Sequence, residues 1–298
     1  MLLEKRKLGR TNLAVTAIAF GGLPMQRCTI EEAAPVLEAA LDAGINFIDT
    51  ARAYTDSEEK IGRHLSSRRK EYYLGTKSMA RDKAQMAKDI DLSLKTMKTD
   101  YIDLYQVHNI KNREDLERVM APGGALEALE QAIAAGKIGF AGVTGHSIEM
   151  LIEAVKTEKF STVQVPFNFI ETQAREVLFP LAKRLNVGTI IMKPLGGGQF
   201  NNPDVALRFI LEHDISTVIP GMDECGYCLP CPAGLDIPTL FIIHLQYTRY
   251  NMKTASPLRY QAMPVKASAC MACGQCEKRC PYDLPIRERL EQIAADMG

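Results

Sequence analysis

Short apolar runs alternate with amphipathic stretches along most of this chain. The runs fall at residues 17–20, 45–48, 72–76, 101–107, 138–143, 162–165, 188–192 and 217–219. Each is too short for a helix, and continuous apolar character marks a strand buried on both faces, as in a parallel sheet. Between them, apolar residues recur at helical spacing: Ala33, Leu37, Ala40 and Leu41; Ala87, Ile90, Leu94 and Met97; Leu126, Leu129 and Ile133; Ile148, Leu151, Ile152 and Val155; Val177, Leu178, Leu181 and Leu185. A further helix is expected near residues 57–65, and another opens at Asn202 as N-cap with Pro203 in its first turn. Thr29 and Glu32 have the spacing of a capping box and Ser147 that of an N-cap, while Pro35 argues for a later start to the first helix. Ahead of this repeat, residues 5–8 and 13–16 flank Gly9-Arg10-Thr11-Asn12 as an opening hairpin. Eight strands with intervening helices predict an α/β fold, a (β/α)8 TIM barrel, in preference to a doubly wound sheet. The eighth helix is missing: after Ile219-Pro220-Gly221-Met222-Asp223 the chain passes directly to Cys225. The barrel is therefore assigned to residues 1–223 and a small separate module to 224–298.

Barrel enzymes keep their chemistry at the C-terminal ends of the strands. The second run ends in Asp49 and leads to Tyr54, the third runs into Lys77, and the fourth into His108. Taken singly, Asp49 fits a turn cap, Lys77 and His108 fit solvated side chains, and Tyr54 fits packing; their common strand-end position favours a shared site. A phenol is a poor acid at neutral pH, and an ammonium beside it makes it a usable general acid. Asp49 would hold Lys77 charged, and His108 would donate a hydrogen bond to a carbonyl oxygen. That set suits reversible carbonyl reduction by a nicotinamide. Lys193-Pro194-Leu195-Gly196-Gly197-Gly198 offers a candidate pyrophosphate cradle through its backbone N–H groups, with a flexible loop as the plain alternative.

Among 298 residues, 36 basic side chains balance 36 acidic ones, so no net field recruits nucleic acid or a membrane surface. No apolar segment follows the N-terminal charges and no run of eighteen apolar residues occurs, which makes a cytoplasmic location the expectation. Of eight cysteines, only Cys28 lies in the first 224 residues, as expected of a small buried hydrophobe. Clustering of the other seven points to metal rather than disulfides. Cys270-x2-Cys273-x2-Cys276-x3-Cys280-Pro281 has the spacing of the bacterial ferredoxin run, which ligates a 4Fe–4S cluster and in which the fourth cysteine serves a neighbouring cluster. Zinc, through the pairs Cys225/Cys228 and Cys270/Cys273, is the competing assignment, but it would leave Cys231, Cys276 and Cys280 without a purpose. Cys225-x2-Cys228-x2-Cys231 is a second, shorter run, so one cluster is expected and a second site is a ligand short. Residues 240–250 read as a helix whose Phe241, Ile242, Leu245 and Tyr247 would cover the barrel or the clusters.

The runs GINFIDTARAY (residues 44–54), EEKIGRHL (58–65), LGTKS (74–78) and DYIDLYQVH (100–108) resemble the aldo-keto reductase family, in the order that family uses them. The resemblance implies Tyr54 as proton donor, Lys77 and Asp49 as its tuning pair, His108 as the carbonyl-orienting residue, and NAD(P)H bound across the barrel mouth. It implies nicotinamide contacts from Gln164 and Asn168 in VQVPFNF (163–169). Where the family has Ser-Asn, this chain has Thr144-Gly145-His146, which leaves Thr144 as the expected contact. The tail resembles the iron–sulfur extension of some members, in which a further cysteine stands three residues before Cys225; here that residue is Met222. The expectation is a reductase of a small carbonyl compound that carries an iron–sulfur module. Its rivals are an electron-transfer enzyme coupling the barrel to the clusters and a redox partner protein, with or without a flavin, and a nucleotide-binding redox sensor.

Overall fold

The computed structural model describes residues 3–200, 202–222, 231–248, 252–279 and 285–298. The chain divides into two compact units, Met1–Met222 and Asp223–Gly298.

The first unit opens with the hairpin β1 (Lys5–Lys7) and β2 (Ala14–Thr16), antiparallel with Arg6 opposite Val15. Eight parallel strands follow: β3 (Phe20–Gly21), β4 (Phe47–Asp49), β5 (Tyr73–Ser78), β6 (Ile102–Ile110), β7 (Ile138–Gly145), β8 (Thr162–Pro166), β9 (Gly188–Met192) and β10 (Thr217–Val218), each paired with its sequence neighbour. Bridges between Ile18 and Val218 and between Gly21 and Gly221 join the first strand to the last, so the sheet closes into the (β/α)8 barrel expected. The amide of Ala19 donates to Val218 O at 2.8 Å, Val218 N to Ala17 O at 2.9 Å, and Gly21 N to Pro220 O at 2.9 Å. Leu8 and Val15 of the hairpin pack in one cluster with Phe47, Leu104, Ile190 and Ile219, which plugs the N-terminal end. The opposite end is left for side chains that are not apolar.

The helices are α1 (Ile30–Asp42), α2 (Ser57–His64), α3 (Lys83–Thr96), α4 (Arg113–Met120), α5 (Ala125–Ala134), α6 (Ile148–Lys156), α7 (Leu178–Arg184) and α8 (Pro203–Leu211). Side-chain caps set the starts of α1, α3, α4, α6 and α8. Thr29 and Glu32 complete a reciprocal capping box, Asp82, Asn112, Ser147 and Asn202 each accept a backbone N–H, and loss of such a cap costs about 1 kcal/mol. The capping box overrides Pro35, which sits inside α1, so the helix begins earlier than the proline suggested. α4 was not foreseen; its sequence REDLERVM buries only Leu116 and Val119. No helix follows β10 among the described residues of this unit.

In the second unit, α9 (Ile237–Thr248), α10 (Ala255–Gln261), α11 (Gln275–Arg279) and α12 (Ile286–Met297) surround their own core of Leu235, Ile237, Leu240, Ile243, Tyr260, Ile286, Leu290 and Ile293. Phe241 and Tyr247 pack partly buried against that core. No helix among the described residues is long and apolar enough to cross a membrane.

Candidate active site and cysteine cluster

The register of the parallel strands places Asp49 beside Gly75, Lys77 beside Gln106, and Thr144 beside Gln164. Side chains two residues apart share a face, so Gly75 and Lys77 of β5 and Leu104, Gln106 and His108 of β6 lie on matching faces of neighbouring strands. Lys77 is fully buried, and its Nζ donates to Asp49 Oδ2 at 2.6 Å and to Thr50 O at 2.6 Å. The other carboxylate oxygen, Asp49 Oδ1, accepts from Gln106 Nε2 at 3.1 Å. Burial alone pushes the Lys77 amine down; the Asp49 carboxylate, with the Tyr54 phenol beside it, outweighs burial and holds the ammonium above the ordinary lysine range.

Tyr54 reaches the same point from the loop after β4. The Lys77 Nζ stands 5.1 Å from its ring centroid, and the His108 ring meets it edge-on at 5.9 Å. Burial, then Lys77, Arg81 and His146, push the His108 imidazole down to about 3, so it is neutral across the physiological range. Neutral imidazole is a donor at one nitrogen only, as carbonyl orientation requires. The structure thus brings all four rim residues together. Lys77 and His108 belong to the strands themselves, which run further than the apolar runs indicated.

β6 changes register between Val107 and Ile110, and Asn109 has φ 57°. This bulge is held from two sides. Nη2 of the buried Arg81 donates to His108 O at 2.9 Å and Asn109 O at 2.8 Å, while the Asn109 amide donates to Thr144 Oγ1 at 2.8 Å. Asp115 pairs with the Arg81 guanidinium at 3.3 Å. His108 Nδ1 is buried without a hydrogen-bond partner, so the backbone clamp, not a bond to the ring, fixes the imidazole.

Gln106 completes a polar layer missed in the sequence. Its Nε2 also donates to Gln164 Oε1 at 3.1 Å, linking Asp49 to the residue expected to meet the nicotinamide. Its same-face relation to His108 was the available signal. Gly142 makes room for it, since a Cβ there would fall 2.2 Å from Thr162 Oγ1 and 2.9 Å from Gln106 Cγ.

The remaining cofactor candidates frame the same ends of β7, β8 and β9. Gln164 lies within β8, its Nε2 at 3.8 Å from Met192 Sδ. Asn168 accepts the amides of Ile170 and Glu171 and donates to Lys193 O at 3.1 Å, so it ties the two following loops together. Thr144 is buried with its hydroxyl engaged by the bulge, and His146 beside it is exposed. In the glycine run, the amides of Gly196 and Gly198 donate to Lys193 O and Leu195 O within the turn. Those two amides are engaged within the turn of the loop.

In the second unit, Cys231, Cys270, Cys273 and Cys276 line one concavity, together with Leu235, Ile237 and Leu290. Cys231, Cys270 and Cys276 pack partly buried against the core, and Cys273 is exposed. Burial pushes the Cys276 thiol up, opposed by the N–H groups of Glu277 and of Cys276 itself directed at its sulfur. No three His, Cys, Asp or Glu side chains among the described residues converge as a single ion requires. Cys225, Cys228 and Cys280 lie outside the described residues.

An eight-stranded barrel with a buried lysine–carboxylate pair, a tyrosine and a neutral imidazole at one mouth defines a class of oxidoreductase fold. The chain belongs to the aldo/keto reductase family, whose pattern it matches over residues 17–204; residues 223–285 match the 4Fe-4S dicluster domain. Aldo-keto reductase YhdN of Bacillus subtilis is 30% identical over 210 residues, 66% of this chain and 60% of that protein. Aldo-keto reductase yakc [NADP(+)] of Schizosaccharomyces pombe is 32% identical over 232 residues, 68% of this chain and 66% of that protein. The chain thus spans somewhat less than two thirds of these relatives. A crystal structure described as a putative aldo-keto reductase, from Pseudomonas aeruginosa, superposes with a TM-score of 0.66 at 28% identity, covering 74% of this chain and 90% of the other.

Proposed function

We propose that the barrel reduces an aldehyde or ketone with NAD(P)H, and that the tail carries at least one 4Fe–4S cluster. The observation that carries the first reading is the Asp49–Lys77 pair, buried at 2.6 Å, with its ammonium facing the Tyr54 ring. NAD(P)H supplies the hydride when bound. Tyr54 delivers the proton to the carbonyl oxygen through its hydroxyl, and the Lys77 charge favours the phenolate left behind. His108, neutral, donates to the same oxygen and lowers the barrier by holding charge that develops there. Asp49 is a positioning residue: it keeps Lys77 protonated where burial alone would strip it. Gln164 and Asn168 would hold the nicotinamide carboxamide, with Thr144 bracing the His108 bulge and Lys193 meeting cofactor phosphate. NADP(+) in the name of the Schizosaccharomyces pombe relative supports the choice of cofactor.

The cluster reading rests on the concavity lined by Cys231, Cys270, Cys273 and Cys276. A cluster bound there supplies one-electron transfer, and the apolar core behind the thiols would shield it from water on one side.

The test follows NADPH absorbance with a panel of aldehydes, for the wild type and Tyr54→Phe. Turnover in the wild type, abolished in the variant with NADPH binding retained, supports the assignment. Binding without turnover of any carbonyl would replace it with a sensor role.

A further inference from the structure

Lys60 is a buried cation that the proposed reaction does not use. Its side chain has no exposure, and its one charged partner among the described residues, Asp56 at 2.7 Å, is itself 43% exposed. The other two bonds of the ammonium run to main-chain carbonyls, Met25 O at 2.7 Å and Cys28 O at 2.5 Å. An ammonium has three N–H groups, so all are engaged and none is left for proton transfer or for attack on a carbonyl. Asp56 stands at the N-cap of α2, where an aspartate ordinarily accepts a helix N–H and stabilises the helix by about 1 kcal/mol. Here its side chain makes no such bond, and its carboxylate turns to Lys60 instead. A buried charge and a forgone helix cap are thus directed at two carbonyls of one loop.

That loop, residues 22–28, follows β3 and contains the short helical turn Leu23–Arg27. Its first residue is tied to the catalytic segment. Gly22 N donates to Asp49 O at 2.7 Å, and Ser57 Oγ, 2.8 Å from Thr50 Oγ1, donates to Gly22 O at 3.0 Å. Ser57 N donates to Tyr54 O at 2.9 Å. A Cβ on Gly22 would fall 2.9 Å from Asp49 O, so the approach requires glycine. On its other side the loop meets the end of β10, where a Cβ on Gly221 would fall 2.6 Å from Pro24 Cγ. The loop therefore crosses the rim between the ends of β4 and β10, next to the segment that carries Tyr54, and Lys60 fastens its far end.

We propose that Lys60 is a positioning residue for substrate selection: by holding Met25 O and Cys28 O it latches residues 22–28 as a wall of the barrel mouth, on which the non-reacting part of a bulky carbonyl compound leans. This builds on the reading of the barrel as a carbonyl reductase. The Gly22 end is held separately, through Asp49 and Ser57, so the geometry of Tyr54, Lys77 and His108 does not depend on the latch. Loss of the latch weakens binding of a substrate large enough to reach the wall and leaves the chemical step in place.

The experiment compares the full-length wild type, Lys60→Met and Asp56→Asn by two measurements. One is the rate of tryptic cleavage after Arg27, followed by mass spectrometry with neither nucleotide nor carbonyl present. The other is KM and kcat for propanal and for benzaldehyde with NADPH. In Lys60→Met, cleavage after Arg27 should accelerate by about 10-fold or more, because the freed loop opens locally. Its KM for benzaldehyde should rise roughly 10-fold, as for the loss of one methylene-sized contact. Its kcat, and its KM for propanal, should stay within about threefold of wild type. Asp56→Asn keeps both carbonyl bonds and should resemble the wild type in both measurements. A general loss of stability moves both aldehydes together, so it does not imitate this split. An equal rise in KM for both aldehydes, or faster cleavage with the benzaldehyde KM unchanged, would overturn the wall. Asp56→Asn behaving as Lys60→Met would overturn the assignment of the hold to the two carbonyls. Wild type cut after Arg27 as fast as the unfolded chain would overturn the latch, a result that needs no variant and stands even where Lys60→Met does not fold. If the wild type reduces neither aldehyde, the reductase reading fails, while the cleavage rates still decide the latch.

Discussion

Replacing Asp49 with asparagine isolates the charge on Lys77. In the native site Lys77 has no exposure, and its one anionic partner among the described residues is the carboxylate at 2.6 Å. An amide of the same shape leaves the ammonium buried among neutral acceptors alone, Thr50 O and the amide oxygen at position 49. Breaking a buried pair by removing one partner costs about 3–5 kcal/mol. The variant can limit that loss by releasing the proton on folding. From an ordinary lysine value of 10.5, neutralisation costs about 1.4 kcal/mol per pH unit, hence about 2 kcal/mol at pH 9 and about 5 at pH 7. The sign follows from linkage. Below 10.5 the unfolded variant binds a proton that the folded variant lacks, so its stability falls as pH falls, whereas native Lys77 is protonated in both states. The deficit relative to wild type should therefore grow by up to about 2.7 kcal/mol between about pH 9 and pH 7. Urea titrations followed by far-ultraviolet circular dichroism measure it, because the chain has no tryptophan to report by fluorescence. A deficit equal at both pH values would refute the claim that Asp49 acts on the Lys77 charge.

Tyr54→Phe should lower kcat for carbonyl reduction by about 10² or more with little change in NADPH affinity, measured by steady-state kinetics and fluorescence titration. His108, held down to about 3, stays unprotonated when folded but binds a proton when unfolded below about 6.5. Wild-type stability should accordingly fall as pH drops from about 6.5 towards 4, by a fraction of about 1.4 kcal/mol per unit given the partly exposed ring, and His108→Asn should lose that slope. Arg81→Met should release the bulge and reduce kcat by roughly 10-fold with KM for NADPH unchanged, and Arg81→Lys, which keeps the charge but loses the fork that also reaches Met79 O and Asp115, should recover only part. Cys273→Ser should weaken the visible chromophore of the tail, read by absorbance and iron content.

The strand runs and the four rim residues were legible because parallel barrel strands are apolar throughout and polar side chains at their ends stand out. Gln106 was not, since an amide inside an apolar run reads as noise until the register sets it between Asp49 and Gln164. α4 was hidden by its charge: one face of REDLERVM contributes two buried side chains, too few for a periodic signal. Pro35 misled because its local penalty outweighed, on paper, the Thr29–Glu32 box that offsets it in the fold. The two-sided clamp on His108 was out of reach, because Arg81 of the loop after β5 and Thr144 of β7 converge on one backbone segment. The grouping of Cys231 likewise depends on the turn at Gly234, not on cysteine spacing.

The seam between the first and last strands has a consequence for how the chain is made. Ile18 meets Val218, two hundred residues later, and until then the edge from Ala17 to Gly21 has no partner on that side. Contacts of such separation form late, because the intervening chain must be ordered before they can repay the entropy of closing it. Synthesis runs at about 5–20 residues per second, so this edge waits on the order of ten seconds or more for residues 217–221 to leave the ribosome. Through that interval an unpaired, apolar strand edge is open to other nascent chains, and chaperone dependence during translation should be concentrated on it.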